Sequence, residues 1–270
     1  MMQEVTKYPN GTFSWVDLTT TDPDAAKTFY SSLFGWEIVD VPVGNGNVYT
    51  MFQLEGRDVA ALSGMNPAQQ AEGIPPYWTS YVSVDNLDER TAKVTALGGS
   101  LLARPCDVFD AGRMALVQDP IGANFALWEA KKHIGAKLVN MPNALVWNEL
   151  ATRETEKATA FYTALFGWTS RVDQSLLGTA YITLINNDRL AAGMLQMTDA
   201  WGDIPPHWMV YFAVEDCAAT VEKVKSLGGS IALPPTEVPQ VGTFSVIQDP
   251  QGGTFAVMSY VVDFDPPPSA

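Results

Sequence analysis

Two short patterns set a carboxylate beside an indole: Trp15-Val16-Asp17 and Trp147-Asn148-Glu149. Phe13, Trp15 and Asp17 alternate with Ser14, Val16 and Leu18 at the period of a strand, so the indole and the acid share one face. A carboxylate pressed against an indole loses solvent, which favours its neutral form and suits it to general-base work. A Tyr alongside would act as the acid or as a hydrogen-bond donor, and the internal offsets of the chain pair Asp17 with Tyr81 and Glu149 with Tyr211. In the plainer alternative, each acid only hydrogen-bonds its Tyr or loop backbone, and the Trp fills space.

The elements that must position these residues occur twice. FYSSLFGW at residues 29–36 is matched by FYTALFGW at 161–168, and 161 − 29 equals 147 − 15, an offset of 132. IPPYW at 74–78 answers IPPHW at 204–208, TALGGS at 95–100 answers KSLGGS at 225–230, and QDPIGANFA at 118–126 answers QDPQGGTFA at 248–256, each 130 residues on. The two missing residues fall in the polar loop after Met65, where a deletion is tolerated. Blocks in fixed order at near-constant spacing identify an internal duplication.

Each half divides again. Asp22-Pro23 supplies an N-cap and a first-turn proline, Ala26, Phe29, Tyr30 and Leu33 recur at helical spacing, and Gly35 closes the helix. Strands are predicted over 36–41, 48–54 and 59–65, a loop over 66–76, and then the order restarts: strand 78–84, helix 87–97, and strands near 101, 114–118 and 124–129. Matching the helix starts, Asp22 with Asn86 and Glu154 with Asp216, gives offsets of 64 and 62, so four copies of one unit build the chain. Residues 131–142 read as a linker, and the proline-rich end, 261–270, reads as a disordered tail.

Composition narrows the function classes. A chain of 270 residues with 47% apolar and 11% aromatic content suits two globular domains. No apolar run approaches the ~20 residues of a spanning helix, and the opening MMQEVTKYPNG lacks signal-peptide character, so a cytoplasmic protein with no membrane partner is expected. The net charge of −14 is shared evenly: nine basic against sixteen acidic residues before residue 136, and seven against fourteen after it. That argues against nucleic acid, which requires a basic face, and is compatible with a cationic small molecule. Cys106 and Cys217 fall at non-equivalent places and read as buried or inert thiols without a disulfide. No glycine-rich phosphate loop follows a strand, and no Ser-His-acid arrangement suggests a hydrolase triad.

A paired βαβββ unit with FY…LFGW, LGG and QDPxG in this order resembles the vicinal oxygen chelate superfamily, which includes glyoxalase I, extradiol dioxygenases, fosfomycin-modifying enzymes and bleomycin-resistance proteins. The resemblance spans nearly the whole chain. It implies an α+β fold of four βαβββ units paired into two glyoxalase-like cup domains, 11–130 and 143–260. It also implies a divalent metal at the base of each cup, held by His, Gln or Glu. Here the family's ligand positions fall on Trp15, Leu62, Thr79 and Ala126 in one half and on Trp147, Met194, Met209 and Ala256 in the other. Only Thr79 offers even a weak oxygen, so no metal and no other cofactor is expected.

Each cup is then expected to hold a Trp, a carboxylate and a Tyr. Asp17, Tyr81, Glu149 and Tyr211 are the candidate catalytic residues, and Trp15, Trp147, Thr79, Met209, Tyr49, Trp128 and His207 are the candidate ligand contacts. The indoles offer platforms for a planar or cationic organic molecule. The first reading is therefore metal-free binding of an aromatic or cationic small molecule, as in bleomycin-resistance proteins. The alternatives are a metal-independent lyase, isomerase or hydrolytic enzyme, and a metal-dependent glyoxalase or dioxygenase with unusual ligands. Fusion of four units removes the need to dimerise for cup formation, so a monomer is expected, with a homodimer as the other option.

Overall fold

A computed structural model of the protein describes residues 4–44, 46–176 and 179–261; the end predicted to be disordered lies almost wholly outside them. The first half runs β1 (Thr12–Thr20), α1 (Pro23–Phe34), β2 (Glu37–Gly44), β3 (Asn47–Leu54), β4 (Arg57–Gly64), α2 (Pro67–Ala71), β5 (Tyr77–Ser83), α3 (Leu87–Ala96), β6 (Ser100–Val108), β7 (Gly112–Gln118) and β8 (Asn124–Ala130). The second half repeats it as β9 (Leu145–Thr152), α4 (Thr155–Phe166), β10 (Thr169–Leu176), β11 (Thr179–Asn186), β12 (Arg189–Gln196), β13 (His207–Ala213), α5 (Cys217–Ser226), β14 (Ser230–Val238), β15 (Gly242–Gln248) and β16 (Thr254–Tyr260). The predicted loop 66–76 holds α2, whose capping box joins Asn66 and Gln69; a single 3-10 turn, Asp199–Trp201, takes its place in the second half.

Each half is one eight-stranded curled sheet, in the order β2-β3-β4-β1-β5-β8-β7-β6 and its equivalent β10-β11-β12-β9-β13-β16-β15-β14. The central strands β1 and β5 are antiparallel, and each is flanked by the last strand of its own unit, β4 and β8, in parallel. This two-domain α+β architecture is the one that the four-unit reading implies.

The two sheets pack back to back through β5, β13 and β16, with α1 against α5 and α3 against α4. The repeated motifs meet across that interface. Tyr30 of FYSSLFGW donates to Asp249 Oδ2 of QDPQG at 2.7 Å and accepts from Trp78 Nε1 of IPPYW at 3.2 Å. Reciprocally, Tyr162 donates to Asp119 Oδ2 and accepts from Trp208 Nε1, both at 2.9 Å. The other oxygen of Asp119 takes the backbone N–H groups of Ile121, Gly122 and Ala123, so one oxygen shapes the turn and the other joins the domains. FY, IPPxW and QDPxG are thus the fasteners of the two domains, and a buried acid with several donors stays satisfied in the core. Aromatic rings surround both fasteners, Phe34, Trp36, Phe212 and Phe255 about Tyr30, and Phe125, Phe166 and Trp168 about Tyr162.

Both cysteines are free. Cys217 is buried on α5, where burial lifts its thiol to about 11, whereas Cys106 is exposed. Among the described residues no helix is long and apolar enough to cross a membrane.

Candidate ligand-binding site

Alternation along β1 and β9 turns Trp15, Asp17, Trp147 and Glu149 to the sheet faces opposite the domain interface. In the first cup, Trp15 Nε1 donates to the Tyr49 hydroxyl (3.0 Å), which donates to Asp17 Oδ2 (3.0 Å); Tyr81 donates to the same oxygen (2.8 Å), and Thr79 also hydrogen-bonds the acid. In the second cup, Trp147 Nε1 donates to Tyr181 (3.1 Å), and Tyr181 and Tyr211 both hydrogen-bond Glu149, the latter at 2.9 Å. The sequence reading missed Tyr181, yet the signal was present: Tyr49 plus the offset of 132 is 181.

Burial sets the electrostatics of both networks. It pushes the Asp17 carboxyl up to about 6 and raises that of Glu149, outweighing the hydroxyl donors that favour the charged form. The four tyrosines are raised by burial and by the neighbouring carboxylates, so they remain proton donors near neutrality.

The two cups differ in what covers them. Residues 131–142, predicted as a linker, close one end of the first cup: the His133 ring sits edge-on to Trp15 at 4.7 Å, and its carbonyl accepts from Trp128 Nε1 at 2.8 Å. Ala136 N–H bonds Ser14 O, Lys137 N–H bonds Asp58 O, and Tyr8 donates to Ala136 O. Gly135 passes so close to β1 that a Cβ would lie 2.2 Å from Ser14 O. Trp15, Asp17, Tyr81 and Trp128 are consequently buried. His133, whose pKa burial lowers, is a first-cup residue that the sequence reading left in the linker.

The second cup is open. Trp147, Glu149, Tyr181 and Tyr211 face a cavity of about 700 Å³, whose apolar wall includes Phe244, Met258 and Tyr260. Met258 stands where the first half has Trp128, since 258 − 130 = 128. Tyr8, Phe13, Val139 and Asn140 from the N-terminal segment, β1 and the linker complete the wall, so the first domain contributes to the second domain's site. A volume of this size suits a drug-sized organic ligand.

Of the candidate ligand contacts only Trp147 lines the cavity: Trp15, Tyr49, Thr79 and Trp128 belong to the first cup, and Met209 and His207 stand apart from the wall. Met209 sits opposite Glu149 on β13 but is not part of the cavity wall, and His207 packs against Trp201 with Nδ1 on Pro205 O, also away from it. Met209 packs with Tyr211 and Met258, whereas His207 begins β13, two residues further from the network; strand parity gave its face but not its position along the strand.

The metal positions need a one-residue correction. The register pairs Asp17 with Ala61 and Glu149 with Gly193, so these, rather than Leu62 and Met194, occupy the last-strand places; Leu62 and Met194 point into the core. Offsets taken at the helix starts slipped because the stretch from cap to last strand is one residue longer in the second unit of each half, 126 − 86 = 40 against 61 − 22 = 39. A Cβ on Gly193 would lie 1.9 Å from the Tyr181 hydroxyl and 2.8 Å from Trp147 Nε1, so the bare position makes room for the second-cup network. The corrected sets are Trp15, Ala61, Thr79, Ala126 and Trp147, Gly193, Met209, Ala256. These do not fit a divalent ion, which takes several N or O donors. Among the described residues no three His, Cys, Asp or Glu side chains come together as a metal-holding group.

Comparison with known proteins places the chain. The model of the Glyoxalase/Bleomycin resistance protein/Dioxygenase superfamily matches residues 12–127 and 144–257, and the chain belongs to that superfamily. CFP32 of Mycobacterium tuberculosis, whose name makes it a candidate glyoxylase, is 44% identical over 258 residues, 95% of this chain and 98% of the relative. The anthracycline biosynthesis protein DnrV of Streptomyces peucetius is 34% identical over 264 residues, 94% and 95% of the two chains. In fold the chain is similar to a Mn(II)-bound glyoxalase from Novosphingobium aromaticivorans, with a TM-score of 0.65 at 20% identity over 97% of this chain and 87% of the other. It is similar also to a homoprotocatechuate 2,3-dioxygenase variant from B. fuscum, with a TM-score of 0.65 at 16% identity over 99% and 76%.

Proposed function

We propose that the protein binds a planar aromatic small molecule in the second-domain cavity, without a metal ion. The observation that carries this is the open cavity of about 700 Å³ with Trp147, Glu149, Tyr181 and Tyr211 on its wall and, among the described residues, no group of three His, Cys, Asp or Glu side chains to hold a metal. Trp147 and Phe244 supply faces for stacking. Glu149, drawn toward its neutral form by burial, offers a hydrogen bond to a carbonyl or hydroxyl on the ring edge rather than a charge for a cation. The relative named for anthracycline biosynthesis supports an aromatic ligand. In this reading the first cup, closed by the linker, is structural, and Asp17 with Tyr49 and Tyr81 is its polar core.

Titration of the purified chain with a panel of planar aromatic compounds, followed by quenching of Trp fluorescence, tests the reading. Binding lost in Trp147→Ala and weakened at least about tenfold in Glu149→Gln is expected; no binding across the panel overturns it. Metal near one per chain after dialysis, measured by ICP-MS, overturns the metal-free part.

A second reading is favoured by the same acid. Glu149 with a raised pKa, bonded to two protonated tyrosines, is a general acid-base pair for a metal-independent lyase, isomerase or hydrolytic step on the bound molecule. Turnover of a bound compound that stops in Glu149→Gln, with binding retained, distinguishes it from sequestration.

A further inference from the structure

The mouth of the second cavity has a ledge that the first cup lacks. Arg171 on β10 bonds Asp173 through Nε (2.6 Å) and Nη2 (3.3 Å), and Asp173 Oδ2 also accepts from Thr183 on β11. All three line the cavity, and the Arg171–Asp173 pair remains partly exposed. The same places 132 residues earlier, 171 − 132, 173 − 132 and 183 − 132, are Val39, Val41 and Met51. The strand register confirms the equivalence: Val39 pairs with Met51 as Arg171 pairs with Thr183, and Val41 pairs with Tyr49 as Asp173 pairs with Tyr181. An exposed ion pair adds only ~0–1 kcal/mol to stability, so stability gives little reason for a charged ledge where the other cup has three apolar side chains.

We infer that this ledge recognises an uncharged, hydroxyl-bearing arm, such as a sugar, attached to the aromatic body of the ligand; this rests on the second cavity being the binding site. The guanidinium presents donors, the carboxylate acceptors and Thr183 a hydroxyl, an alternation that matches neighbouring hydroxyl groups. A bare carboxylate would meet Asp173 and an ammonium would meet Arg171, so either formal charge is disfavoured. The ledge lies on the β10–β11 hairpin, and Asp173 stands directly opposite Tyr181 of the inner network, so one ligand reaches both.

The test is a matched pair, a flavonol and its 3-O-glucoside, titrated against the full chain by Trp quenching and calorimetry. The glucoside is expected to bind about tenfold more tightly, the value of roughly one to two net hydrogen bonds. Arg171→Val with Asp173→Val, which installs the first-cup residues, brings the ratio of the two Kd values to about one. Asp173→Asn, milder in shape, lowers it at least about threefold, and circular dichroism checks folding. Equal affinity in the wild type, or a preference that survives the double replacement, overturns the inference alone. Binding of neither compound, nor of any aromatic in the wider panel, overturns it together with the reading it rests on.

Discussion

Replacing Asp17 by Asn isolates the energetics of the closed cup. Asp17 is 7% exposed and accepts from Tyr49 and Tyr81, and burial moves its carboxyl from 3.8 up to about 6. The native state therefore holds this proton more tightly than the unfolded chain does. Below about pH 3 the acid is protonated in both states and no penalty is felt. As pH rises from about 3 to 7 the unfolded carboxylate ionises in water while the native one must ionise inside the protein, so stability falls with pH and levels off once the native group is ionised. A rise from 3.8 to about 6 corresponds to about 3 kcal/mol. Asn keeps an oxygen for the tyrosines and carries no proton to lose. Urea unfolding followed by Trp fluorescence at several pH values should show the wild type losing about 3 kcal/mol more than Asp17→Asn between pH 3 and 7. Glu149, Asp119 and Asp249, also raised by burial, contribute to both proteins and cancel in the difference. Parallel stability curves would refute the claim that the linker and sheet desolvate Asp17.

The domain fastener is expected to carry stability: Tyr162→Phe leaves Asp119 Oδ2 and Trp208 Nε1 without their partner and should lower the unfolding free energy by about 2–4 kcal/mol, while a change below about 0.5 would show that water replaces the hydroxyl. Gly193→Ala drives a methyl group into Tyr181 and Trp147, so ligand affinity should fall at least about tenfold with the fold retained by circular dichroism; an unchanged Kd would separate that network from binding. Because Glu149 is raised, ligand binding that uses its proton should be full below its pKa and weaken as pH climbs through it. Glu149→Gln should flatten that profile, and a wild-type profile already flat would mean that the proton is not used.

Much of the architecture was legible in the chain because it is written in local and repeated patterns. Caps, alternation and helical spacing are properties of neighbouring residues, and the 132- and 130-residue offsets multiply each signal. The two Trp-x-acid pairs and their tyrosines were legible for the same reason, since strand parity fixes a shared face. Tyr181 was legible too, through the offset that links it to Tyr49.

What the sequence alone determined, then, is the four-unit fold and the face on which Asp17 and Glu149 lie. The tertiary structure decided which cup is open. Trp15 and Trp147 occupy equivalent places in equivalent strands, but only one is met by His133 and sealed by a segment that crosses back to β1. It also decided that Tyr30 and Asp249, 219 residues apart, form one hydrogen bond between domains, and that Tyr8 and Phe13 wall the second cavity. Burial, and with it the pKa of each acid, depends on what distant chain covers a side chain, and no local pattern carries that information.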